Sequence, residues 1–160
     1  MASIPRVRRL SDSKGANLIE AAIITPLLLL LTFAIVDFSL LFYAHLALEN
    51  GVSQATRYGV TGRLMADPDN PGGKLSRADS IRTAMRRATP TLTIGDDAFE
   101  FSHMSAGGGW ANGPGGADDI ERVTVNYTWK LYTPLLRPFF TNGQIVLQVA
   151  STMKNEGTFE

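Results

Sequence analysis

Apolar positions in this chain are distributed very unevenly. From Ala21 to Val36 sixteen consecutive residues carry no charge, and past Asp37 the apolar character continues through Phe38, Leu40, Leu41, Phe42 and Tyr43. A helix needs about 20 apolar residues to cross a bilayer, so Ile19 to Leu41 is long enough. The competing reading, a core helix buried on all sides, asks more of a 160-residue chain than its remaining sequence can supply. Beyond the run the pattern narrows to one stripe. Phe38, Leu41, His45, Leu48, Val52, Ala55 and Gly59 recur at steps of three and four, while Glu49, Asn50, Ser53, Gln54 and Arg57 fall elsewhere. The spacing predicts one helix from about Asn17 to Val60, roughly 66 Å long at 1.5 Å per residue and therefore reaching well past a membrane. Pro26 inside it removes a hydrogen bond and predicts a local kink.

The prolines and glycines of DPDNPGGKL, residues 67–75, end that pattern and read as a linker. Ser76 then offers an N-cap to RADSIRTAMRRA, a helix expected to stop near Ala88, before Pro90. Strand character follows in DAFEFSHM and is clearest in ERVTVNYTWKLY, where Val123, Val125, Tyr127, Trp129 and Leu131 alternate with polar residues. A last strand, QIVLQVASTM, pairs with it across TPLLRPFFTNG. The fold class is α+β: a long N-terminal helix, then a small exported domain with an antiparallel sheet of about three strands and one packed helix. Four regions result: a basic leader over 1–15, the long helix over 16–62 with its span at about 19–41, a linker over 63–75 and the α+β domain over 76–160.

Charge changes the picture by giving the helix a direction. The formal net charge is zero, but residues 1–15 carry Arg6, Arg8, Arg9 and Lys14 against Asp12, a net of +3, which leaves −3 for the rest. Basic residues ahead of an apolar span stay in the cytoplasm, so the C-terminal domain is expected outside. A secretory signal would end in a small-x-small site, and the best pair, Thr32 and Ala34, is followed by more apolar sequence. The absence of cysteine excludes disulfides and thiolate metal sites.

Enzyme chemistry finds little support. His45 and His103 have no second ligand at metal spacing, and adjacent Ser102 and His103 would point to opposite faces of a strand. SAGGGWANGPGGADD lacks the Lys-Ser/Thr of a phosphate loop and reads as a flexible surface loop. Asp67, Asp69 and Gly72 occupy positions one, three and six of a calcium loop, but Pro71 and Ala78 stand where further ligands belong. Arg82, Arg86 and Arg87 read as a solvated helix face, with an acidic partner or anionic lipid as the alternative. Nothing suggests nucleic acid, because no basic surface is interleaved with aromatics and the exported part is net acidic.

Glu20 is the anomaly. A carboxylate at the mouth of an apolar span costs at least about 2.5 kcal/mol even on lenient insertion scales and calls for a partner. KGANLIE, residues 14–20, resembles a type IV prepilin processing site, with a short basic leader, a glycine, and a glutamate five residues on. The longer stretch from Gly15 to Arg63 resembles TadE-like pseudopilins of the tight-adherence (Flp) pilus system, through Glu20, the Pro-Leu-rich run, Asp37, the Tyr-x-x-x-Leu-x-Asn-like segment and the Arg-Tyr ending. VTVNYTWKLYTPLL and VASTMKNE, residues 123–136 and 149–156, resemble the end of the same family. Ala21 stands where major pilins of the system carry an aromatic, which favours a minor or pseudopilin role.

The resemblance implies cleavage by a prepilin peptidase between Gly15 and Ala16. The new ammonium on Ala16 would lie on one helix face with Glu20, four residues on, and Glu20 would neutralise it or that of a neighbouring subunit during assembly. The implied partners are that peptidase, other pilin and pseudopilin subunits, the tight-adherence inner-membrane platform and membrane lipid. No catalytic residue, cofactor or metal is implied. The implied location is the cytoplasmic membrane, single-pass, with a cytoplasmic N-terminus and a C-terminal domain in the periplasm or outside, and possible entry into a pilus. The alternative is an uncleaved single-span envelope protein whose outer domain binds a partner or ligand. An exported enzyme is the third class.

Overall fold

The computed structural model describes residues 13–159. Most of the expected leader, including Arg6, Arg8 and Arg9, lies outside the described residues. Helix α1 runs from Ser13 to Gly59 with Pro26 inside it, and α2 covers Arg77–Ala88. The strands are β1 (Phe99–Met104), β2 (Trp110–Asn112), β3 (Ile120–Lys130) and β4 (Gln144–Lys154). They form one antiparallel sheet in the order β2-β1-β3-β4. The α+β class is as expected, but the sheet has four strands where about three were anticipated.

The extra strand lies inside the segment expected to be a flexible loop, and this corrects that expectation. Trp110 and Asn112 pair with Met104 and Ser102. Gly113 then turns the chain at φ +106°, which a side chain would oppose, and donates its N–H to the Phe101 carbonyl at 2.9 Å. The Arg122 guanidinium lies 4.0 Å over the Trp110 ring, so the strand is held by stacking as well as by its ladder.

Two different environments divide α1. From Leu18 to Val36 eleven large apolar side chains are exposed in every direction. From Asp37 onward one face is buried against the domain: Leu41, Ala44, Leu48, Val52 and Ala55 join Ile81, Met85, Phe99, Val123, Val125, Trp129, Leu147 and Val149 in one core. The expected stripe is largely present, but Phe38 and His45 sit at its margins while Ala44, Gly51 and Thr56 lie within it. Small residues at Gly51, Ala55 and Gly59 let α2 approach antiparallel. A Cβ on Gly51 would strike the Thr89 side chain, and one on Gly59 would come within 2.9 Å of both Ile81 and Glu121. The α2 N-terminus is closed as expected, Ser76 Oγ accepting the Asp79 N–H at 3.1 Å. The Ser76 hydroxyl and Arg82 together hold the Asp79 carboxyl below its ordinary range.

The domain grips α1 at both ends of the buried half. At the near end Asp37, only 1% exposed, accepts the backbone N–H groups of Tyr132 at 3.0 Å and Thr133 at 2.9 Å. At the far end the Glu156 N–H donates to the Val60 carbonyl at 2.9 Å. Asn155 Nδ2 donates to the Gly116 carbonyl at 2.7 Å, tying the 114–119 loop to the same place. Residues 132–133 and 156 therefore supply groups that fasten the sheet to the helix.

Hydrogen bonds to a charged acceptor contribute about 1.5–3 kcal/mol each, and loss of Asp37 would strand two N–H groups. Asp37→Ala is expected to destabilise the domain by about 3 kcal/mol and Asp37→Asn by less. Thermal unfolding of the full chain in detergent measures the first effect, and faster chymotrypsin cleavage after Tyr132 and Phe139 reports release of the loop.

Candidate functional site

The residues expected to carry function lie on the free half of α1. Gly15, Ala16 and Glu20 are all helical. Nothing lies within 4 Å of where a Cβ on Gly15 would stand, so the fold makes no demand for glycine there. Ala16 and Glu20, four positions apart, share a helix face, and Glu20 is exposed among Leu18, Ile19, Ile23 and Ile24. It is the one charged residue between Gly15 and Val36.

Magnitude decides what this half of the helix requires. Covering a large apolar side chain is worth about 1.5–3 kcal/mol, so the exposed set represents on the order of 20 kcal/mol in water. No marginally stable domain offsets that sum. The 22 residues from Gly15 to Val36 span about 33 Å, close to the roughly 30 Å hydrocarbon thickness of a bilayer. The free segment stops where Asp37 takes hold of the domain.

At the opposite end of the buried half lies a polar centre that the sequence reading missed. Glu121 on β3 is fully buried and pairs with Arg77 on α2, Oε2 to Nη2 at 2.9 Å. Arg77 also donates to the Gly59 carbonyl at 3.0 Å and the Gly115 carbonyl at 2.7 Å, and lies 4.4 Å over the Phe159 ring. Burial pushes the Glu121 carboxyl above its ordinary value, and Arg77 draws it back only in part. Its Oε1 finds no hydrogen-bond partner among the described residues. The residues join α1, α2, β3 and the 113–116 turn. The alternation of β3 puts Glu121 on the same face as Val123 and Val125, and a carboxylate in that phase was the available signal.

The other polar candidates are taken up locally. His45 faces Glu49 at 3.3 Å, and His103 Nδ1 lies 3.0 Å from the Gly113 carbonyl. Arg82 pairs with Asp79 at 2.7 Å and lies over Phe101, and Arg86 bonds Asp96 and the Ile94 carbonyl, so two of the three arginines clamp α2 to its surroundings. Asp67 accepts the Asp69 N–H at 3.0 Å within a turn closed by the Ala66–Lys74 bridge. Among the described residues no three His, Asp or Glu side chains gather as a metal site.

These features define a helix-anchored protein: one helix long and apolar enough to cross a membrane, carrying a small α+β domain on its far half. The family model for TadE-like proteins matches residues 15–57, which takes in the free half of α1 and nearly all of its buried continuation, so the TadE-like character of this segment is shown. No curated protein and no solved structure matches the chain.

A carboxyl whose folded pKa is raised binds its proton more tightly folded than unfolded. It therefore stabilises the fold below the ordinary value near 4.5, and that contribution is lost as pH rises through the folded pKa. Lowering pH from neutral toward that value should raise the melting temperature of the wild-type domain. Glu121→Gln, which keeps an acceptor for Arg77, should flatten the response in this window. Melting curves of both proteins across that range provide the check.

Proposed function

We propose that the chain is a minor pilin or pseudopilin of a tight-adherence pilus or its secretion machinery, trimmed by a prepilin peptidase and assembled through the free half of α1. The observation that carries this reading is the unpartnered apolar half of α1, within the TadE-like segment, whose one carboxylate lies five residues past Gly15. Hydrolysis of the Gly15–Ala16 bond leaves a carboxylate on Gly15 and an ammonium on Ala16. That ammonium shares a face with Glu20, so the mature helix could meet the charge in itself or in a neighbouring subunit. The absence of crowding at Gly15 supports a role for glycine in access of the backbone to the peptidase rather than in the fold.

The basic leader orients the protein with its N-terminus in the cytoplasm and its domain outside the cytoplasmic membrane. Residues 15–36 cross the bilayer, and Asp37 marks the outer boundary. Its partners are the peptidase, the membrane platform of the system, and other pilin or pseudopilin helices. The role is structural, and no residue is assigned to catalysis.

Intact mass of membrane-extracted protein should show a chain beginning at Ala16, and Gly15→Leu should retain residues 1–15. A wild-type mass that keeps the leader would favour an uncleaved anchor. Glu20→Gln should insert and be trimmed normally, since it makes the span more apolar. It should nevertheless fail to cross-link to pilus subunits: breaking a buried ion pair from one side costs about 3–5 kcal/mol, more than a hundredfold in association. Wild-type cross-linking by this variant would remove Glu20 from assembly.

A further inference from the structure

The connection between β3 and β4, residues 131–143, combines order with exposed grease. Its backbone is tied down by Asp37, by the Leu131 N–H donating to the Gly143 carbonyl at 3.2 Å, and by Arg137 Nε donating to the Leu131 carbonyl at 3.0 Å. Leu136 is buried beneath it, and Phe140 meets Phe38 edge-on with ring centres 6.3 Å apart. Yet Tyr132, Leu135 and Phe139 are 67%, 56% and 75% exposed. A loop held this firmly has no freedom to hide them, so an exposed apolar patch borders the free segment of α1.

Position and charge bear on what covers this patch. The loop meets α1 at Asp37 and Phe38, where the free apolar segment ends, about 33 Å from Gly15 along the axis. From Tyr127 to Lys154 the sequence contains no acidic residue, and Lys130 and Arg137 stand exposed at this end of the domain; the nearest exposed carboxylates, Asp96 and Asp97, lie ahead of β1 level with Tyr127 and Thr128, and Asp96 is paired with Arg86. The opposite end presents Asp69, Lys74, Asp118 and Lys154. Aromatic rings sit favourably at the headgroup level of a bilayer, and cations near it are drawn to anionic lipid. We infer that residues 131–143 form an interfacial collar, in which Tyr132, Leu135 and Phe139 enter the outer leaflet beside α1 while Lys130 and Arg137 meet anionic headgroups. The inference rests on the membrane-anchored reading of α1 and adds a second contact between protein and lipid. The collar seats the domain on the membrane while the subunit waits there.

The native chain has no cysteine, so single cysteines can be introduced cleanly. Full-length Leu28→Cys, Leu135→Cys, Phe139→Cys and Ala111→Cys proteins would each carry a polarity-sensitive fluorophore in vesicles of phosphatidylcholine and phosphatidylglycerol with brominated acyl chains. The label at Leu28 should lose emission most, those at Leu135 and Phe139 should lose part of it and shift to shorter wavelength, and the one at Ala111 should do neither. Quenching at Leu28 without quenching at Leu135 and Phe139 overturns the collar and leaves the anchor standing. Labels at those two positions that are shielded from aqueous iodide but untouched by bromolipid would show protein over the patch, and this also overturns it. An unquenched label at Leu28 would defeat the anchored reading itself, and the collar with it.

Discussion

A carboxylate at the end of an apolar helix needs donors, and Asp37 finds them in backbone N–H groups 95 and 96 residues further along the chain. The rest of the architecture follows from this closure. It sets where the helix stops being free, it holds the β3–β4 connection against the helix, and Leu131 and Leu136 of that connection are buried. A carboxylate is suited to the task because two lone-pair directions can serve two successive amides, whereas a hydroxyl would serve them less completely.

The second fastening sits at Gly59, and the distance between the two is matched by two kinds of secondary structure. From Asp37 to Gly59 the helix rises about 33 Å, and from Glu121 to Leu131 an extended strand covers about the same length. Strand β3 thus runs the full length of the outer half of the helix, with Glu121 against Gly59 at one end and, two residues past the strand, Tyr132 bonded to Asp37 at the other. Between these ends Leu48 and Val52 join Val123 and Val125 in the core. The small residues on a neighbouring face do a different job, letting α2 lie close enough for Arg77 to reach the carbonyl of Gly59.

Much of this was legible in the sequence because it depends on periodicity. The sixteen uncharged residues, the stripe after them, the Ser76 cap and the alternation of β3 are local signals, and each element formed within a few residues of its expected place. Gly15, Ala16 and Glu20 were singled out by their spacing and by resemblance to a prepilin processing site, and their roles remain a proposal. What the sequence concealed depends on contacts across the chain. Asp37 stood out as the charge that interrupts the apolar run, but nothing local shows that residues 132 and 133 return to it. The strand at Trp110–Asn112 was hidden by glycines on both sides, whose composition reports turns and not the pairing of the three residues they enclose. Glu121 was legible only as an acidic residue on the apolar phase of a strand, and its partner Arg77 lies 44 residues away.

Fastening at two separated points also removes a degree of freedom. A domain held at one point could swivel about its stalk, but one held by Asp37 below and by Val60 and Gly59 above shares the helix's azimuth. When such helices are laid side by side, the rotation of each about its own axis decides which surface its outer domain shows to the next. In the proposed assembly, the interlocking of the greasy stems would dictate the outward pattern of the heads.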